Sequence, residues 1–196
     1  TIANQTNKFA TRIVEAARAV PQQAAYPADN YLAAQLKIVA RLIKGGLKTR
    51  IYMVGMGGFD NHSSQVEASD TSTGTHANLL KTLSDGIKAF MDDCTFLQIQ
   101  DRVLGMTFSE FGRRIKSNSS MGTDHGAAAP LFLFGGQVIP GVTGNNPTIP
   151  GGASVQDNIP FQYDFRSIYA SILEKWFCIP PATLQTILFR NFQSLP

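Results

Sequence analysis

"RIYMVGMGGFDNH", residues 50–62, is the stretch on which the reading of this chain turns. A near-continuous apolar run ends in two glycines, and Asp60 and His62 follow within four residues. The run "TRIYMVGM" (49–56) reads as a strand covered on both faces, as in a parallel sheet. Asp60 and His62 then occupy the turn at its carboxyl end, where open α/β sheets bind ligands. Two readings of the turn stand side by side. Asp and Asn in a glycine-rich turn accept left-handed angles and bond their own backbone. Alternatively, Asp-x-His offers two ligands close enough to share a cation.

The rest of the chain repeats helix and strand signals. On the N-terminal side, residues 6–20 carry Phe9, Ile13, Val14 and Ala17 at helical spacing, and Pro21 ends the run. A second helix is expected over 31–46, with Asp29 or Asn30 as its cap and Gly45–Gly46 as a left-handed stop. On the C-terminal side, residues 76–93 form a helical pattern and 102–108 a strand. The polar turn "SEFGRR" follows, then a strand over 130–136. Residues 137–163, rich in Gly, Pro and Asn, read as loop or short edge strand. A helix capped by Asp164 comes next, and Pro181 opens a short last one. This grammar predicts a layered α/β/α fold with a largely parallel sheet, as one α/β domain over 1–196.

Composition narrows the function classes. Of 196 residues, 43% are hydrophobic and 16% charged, which is ordinary for a soluble globular chain. The net charge is only +3 and the basic residues are scattered, apart from "RRIK" at 113–116, so no nucleic-acid groove is expected. No apolar run approaches the roughly 20 residues of a membrane span. The chain opens at Thr1 without a signal-like core, consistent with a processed or partial polypeptide, and localisation is unreadable from it. Cys94 and Cys178 fit either two small apolar residues or one disulfide, and make no zinc finger.

Chemistry collects at the expected strand ends. Asp60 and His62 follow the first strand, Ser109 and Glu110 the second, and Asp124 and His125 precede the third. His76, the remaining histidine of three, opens the helix after the first turn. Singly, each has an ordinary explanation as a turn, cap or ion-pair residue. Together, three carboxylates and two imidazoles are the ligand types that divalent cations take.

Four motifs carry a resemblance: "GGFDNHSSQ" (57–65), "HANLL" (76–80), "TFSEFGRRIKSNSSMGTDHGAAAPLFLFGG" (107–136) and "DFRSIYASILEKWF" (164–177). In order and spacing they resemble the DUF1501 family, bacterial proteins of unknown biochemical function related to the sulfatase and alkaline phosphatase superfamily. The resemblance runs from about residue 27 to about 178 and matches the C-terminal portion of that family. It implies an alkaline-phosphatase-like fold and a metal-dependent hydrolase of phosphate or sulfate esters, exported from the cytoplasm. Asp60, His62 and His125 are similar in place to one metal site, and Glu110 with Phe111 occupies the place of an Asp-His pair of a second. Asp124 is a further ligand or a partner that orients a histidine. His76 would be a general acid or substrate contact, and Arg113 or Arg114 a fork for an anionic ester. The implied cofactor is a divalent ion: zinc, manganese or iron, or calcium or magnesium. The implied nucleophile lies in a preceding half of the protein, so none is named here. The substrate would be a small-molecule or glycan ester. A non-catalytic module of the same fold, binding an anionic glycan or a surface partner, is the alternative.

Overall fold

Helix α2 (Tyr31–Lys44) shows why the centre of the molecule forms where it does. The Asn30 side chain accepts from the Ala33 amide at 2.9 Å, an N-cap that satisfies one of the orphan donors of the first turn. Leu32, Leu36 and Ala40 then bury on one face. Gly46 (φ +83°) ends the helix in the left-handed region. Gly45 is needed for another reason: a Cβ there would stand 2.0 Å from the Ala16 carbonyl oxygen of α1 (Ile2–Arg18). Helix α3 (Thr75–Phe96) packs along α2, and Phe90, Cys94 and Leu97 meet Leu32, Leu36 and Ala40 in the main core. These are the helices that the apolar spacing predicts. The structure is a computed structural model describing residues 2–195, with side chains from residue 4.

A polar clamp ties the 19–30 connection to this pair. Asp93, fully buried, accepts from Gln23 Nε2 (2.7 Å), the Ala24 amide (2.7 Å) and the Tyr26 hydroxyl (2.8 Å). Arg41 Nε in turn donates to Gln23 Oε1 at 2.8 Å. A buried carboxylate is tolerated here because each of its oxygens is hydrogen-bonded. Burial, with Asp93 alongside, pushes the Tyr26 hydroxyl pKa far up.

The sheet differs from the expectation. Strands β1 (Leu104–Met106) and β4 (Leu133–Gly135) pair antiparallel, Gly105 opposite Phe134. A second two-stranded ribbon joins β2 (Gly112–Arg113) to β3 (His125–Gly126), also antiparallel, Arg113 opposite His125. Among the described residues there is no parallel ladder and no layered α/β/α sheet. The expected first strand, 49–56, belongs to no ladder. Its residues alternate instead: Val54 and Met56 lie against the helical core, while Ile51 and Met53 are 75% and 82% exposed. An apolar run fixes neither how many faces are covered nor which strand pairs with it; those depend on distant chain. The Gln35 side chain substitutes for a strand at one position, accepting from the Gly55 amide (3.2 Å) and donating to its carbonyl (2.8 Å).

Beyond the sheets, residues 137–163 form the expected loop, touching the β2 end through an isolated bridge between Arg114 and Asn158. Helix α4 (Phe165–Lys175) starts at Asp164, whose Oδ1 accepts from the Arg166 amide at 2.9 Å. Helix α5 (Pro181–Leu188) begins at the proline. Both cysteines are free, Cys94 buried and Cys178 exposed, so the disulfide option is not realised. No helix among the described residues is long and apolar enough to cross a membrane.

Candidate metal centre

Two irregular loops, 59–65 and 118–125, build the centre by lying against each other. The Thr123 amide donates to the Asn61 carbonyl (3.2 Å), Ser64 to Ser120 (2.9 Å) and Gln65 to Met121 (2.9 Å). Asn118 folds its own loop by accepting at Oδ1 from the Ser120 and Gly122 amides. Its Nδ2 lies 2.9 Å from the His62 carbonyl and 3.1 Å from Asp124 Oδ1. Gly122 permits the approach: a Cβ there would come within 2.2 Å of the His62 carbonyl carbon. The sequence therefore brings Asp60, His62, Asp124 and His125 together through backbone bonds between loops, with only the two-residue β2–β3 ribbon, which carries His125, beside them.

The ligand atoms of Asp60, His62 and His125 all lie within 4.8 Å of one another. Asp60 Oδ1 is the common point, 2.7 Å from His125 Nε2 and 3.0 Å from His62 Nε2. The rings of His62 and His125 are 4.7 Å apart. Asp124 stands behind, its Oδ1 3.1 Å from His62 Nδ1. Since a carboxylate only accepts, Nδ1 of His62 carries the proton of that bond. Its Nε2 contact with Asp60 is then a hydrogen bond only if the ring holds a second proton. With one proton, the Nε2 lone pair is free for a cation, and Asp124 orients the ring in the way carboxylates support metal-binding histidines.

Both carboxylates of the cluster are held in their charged form. Hydrogen bonding from His125, with His62 and Arg113 adding, holds the Asp60 carboxyl below the ordinary carboxylate range against a smaller desolvation effect. Asn118 first and His62 second do the same for Asp124. Phe111 stacks flat on His125, centroids 3.8 Å apart and planes within 6°, fixing that ring's plane. One carboxylate and two imidazoles at a solvent-facing position fit a three-ligand site with room for further ligands, and favour zinc, manganese or iron over calcium or magnesium.

The other expected residues fall elsewhere. Glu110 is exposed and outside the converging trio, so a second metal site does not assemble from it among the described residues. Ser109 donates its hydroxyl to the Phe111 carbonyl, a local turn bond. His76 meets the Phe59 ring edge-on at 6.0 Å, and burial followed by the charge of Arg113 lowers its pKa. Arg113 approaches Asp60 Oδ1 at 3.6 Å, but its two terminal nitrogens donate to the carbonyls of Phe59 and Thr123. Arg114 donates to the Gln156 carbonyl instead. Sequence reasoning missed Asn118, although an Asn four residues before Gly122 in a serine-rich turn is a recognisable loop-former.

A family model, described as a protein of unknown function (DUF1501), matches residues 3–175, including both ligand loops. The chain belongs to the DUF1501 family. No curated protein and no solved structure matches it. The DUF1501 match reaches back through α2 and nearly all of α1, further than the motifs themselves extend.

Proposed function

We propose that Asp60, His62 and His125 hold one divalent cation and that this centre serves hydrolysis of phosphate or sulfate esters. The observation that carries the reading is the convergence of the three ligand atoms within 4.8 Å, with Asp124 bonded to the far side of His62. When bound, such an ion would polarise an ester oxygen and stabilise negative charge developing there. Asp124 would keep the His62 proton on Nδ1, leaving Nε2 as a ligand. Phe111 would shield the face of His125 on which it stacks. His76, favoured in its neutral form, suits a hydrogen-bond partner or base at the edge of the site rather than a cationic contact. The ester class and an exported location rest on the resemblance to sulfatases and alkaline phosphatases.

Two observations favour a second reading, a non-catalytic metal-stabilised module binding an anionic glycan or surface partner. The Ser109 hydroxyl is committed to its own turn, and the Arg113 terminal nitrogens are committed to backbone carbonyls. Elemental analysis of chelator-stripped protein reloaded with zinc, manganese, calcium or magnesium tests the shared core of both readings, with His125→Ala alongside. About one ion per chain, lost in the variant, is expected. No ion in either protein would overturn the metal centre. Assay of the loaded, full-length protein on phosphate and sulfate esters then separates enzyme from binding module.

A further inference from the structure

We infer that Arg113 is the positioning residue of the Asp60–His62–His125 centre, a clasp that sets the separation of the two ligand loops. The inference rests on the metal reading above but replaces the anion-fork role expected for this arginine. Its Nη2 donates to the carbonyl of Phe59, the residue before Asp60. Its Nη1 donates to the carbonyl of Thr123, the residue before Asp124 and His125. One planar group thus grips each loop next to its ligands. The side chain is mostly buried, at 19% exposure, and its guanidinium carbon lies 4.9 Å from the centre of the Phe111 ring, which stacks on His125.

The backbone anchors the clasp as well. Arg113 sits opposite His125 in the β2–β3 ribbon. Gly126 makes the pairing possible, because a Cβ there would fall 2.3 Å from the Arg113 carbonyl. Arg113 is therefore held from behind by the strand that carries one ligand, and reaches forward to the loop that carries the other two. Lysine cannot reproduce this. Its ammonium is a compact point charge on a flexible stem, whereas the guanidinium presents donors at fixed separation.

Clasp and charge predict opposite signs. As a bare cation 3.6 Å from Asp60, Arg113 would repel a divalent ion, and its neutral replacement would tighten binding. As a clasp, it would be missed by any replacement. Calorimetric titration of chelator-stripped wild type, Arg113→Lys and Arg113→Gln with zinc and manganese makes the distinction. Amide hydrogen exchange of the metal-free proteins is followed in parallel. The clasp predicts roughly 10- to 100-fold weaker binding in both variants, the range typical of groups that support metal ligands. It also predicts faster exchange confined to 59–65 and 120–125. Unchanged or tighter binding in Arg113→Gln, or exchange that rises evenly over the whole chain, would overturn it. Wild type without metal, combined with selective loosening of both loops in the variants, would sink the metal reading and leave the clasp standing.

Discussion

Replacing Asp93 tests whether the helical core of α2 and α3 is held as described. In Asp93→Ala three donors lose their acceptor: Gln23 Nε2, the Ala24 amide and the Tyr26 hydroxyl. Gln23 Nε2 keeps the Lys37 carbonyl at 2.9 Å, so its loss is partial. Ala24 and Tyr26 are half-buried and can recruit some water, which puts each near the lower end of the about 1–3 kcal/mol cost of an unsatisfied buried group. Adding the space left by the carboxylate gives about 2–4 kcal/mol of destabilisation. Asp93→Asn keeps one oxygen for Ala24 and can donate to a reversed Tyr26 hydroxyl, but it sets an NH2 against Gln23, so about 1–2 kcal/mol is expected. Urea unfolding is the assay. With an m-value of about 2–3 kcal/mol/M, the alanine midpoint should fall by roughly 1 M at unchanged slope. A shift near zero for alanine, or an asparagine variant less stable than the alanine one, would refute the reasoning.

Three further outcomes follow from the same geometry. Burial pushes the Cys94 thiol up to about 12, while Cys178 is exposed, so a thiol reagent should modify one cysteine in native protein and the second only on unfolding; two fast reactions would contradict this packing. Hydrogen bonds from Arg166 hold Asp164 down at about 2, so the stability it contributes is complete above the ordinary carboxylate range and is lost as pH falls from about 4 toward 2. The stability gap between wild type and Asp164→Ala should therefore close across that window and stay constant from pH 5 to 7; a gap that widens in acid would reverse the assigned sign. Backbone amides of 50–54 have no hydrogen-bond partner among the described residues and should exchange far faster than those of α2 and α3, whereas slow exchange there would show a strand partner on that edge.

The helices were legible because their signals are local. Asn30, Gly46, Asp164 and Pro181 each mark an end by chemistry contained in a few residues, and the apolar spacing of α2 states which face is buried, whereas on α3 it places Phe90 inside but leaves Leu80 exposed. The sheet was not legible for the opposite reason. Nothing between Thr49 and Met56 states what its backbone pairs with, and Leu104–Met106 finds Leu133–Gly135 across 26 intervening residues. A run such as "RIYMVGM" looks alike whether one face is covered or two. The exposure of Ile51 and Met53 could be learned only from the folded chain.

The site was more legible than the sheet meant to support it, and the reason is physical. Asp60, His62 and His125 show in the sequence what they can bind, and they converge where loop 59–65 meets the 118–124 loop and strand β3. The loops are joined by bonds that a parallel sheet would not supply: Thr123 to Asn61, Asn118 to His62, and Arg113 to both. Phe111 then changes meaning. In the resemblance it stands in the place of the histidine of a second site. Stacked 3.8 Å from His125, it is part of the frame of the first. Glu110, its neighbour in sequence, is left in solvent because the same turn that lays Phe111 on His125 does not bring the carboxylate to the trio. On the proposed metal reading the described residues offer one three-ligand cluster, and Phe111→His gives a direct contrast: if the ring acts as frame, the substitution should not raise the stoichiometry above one ion per chain.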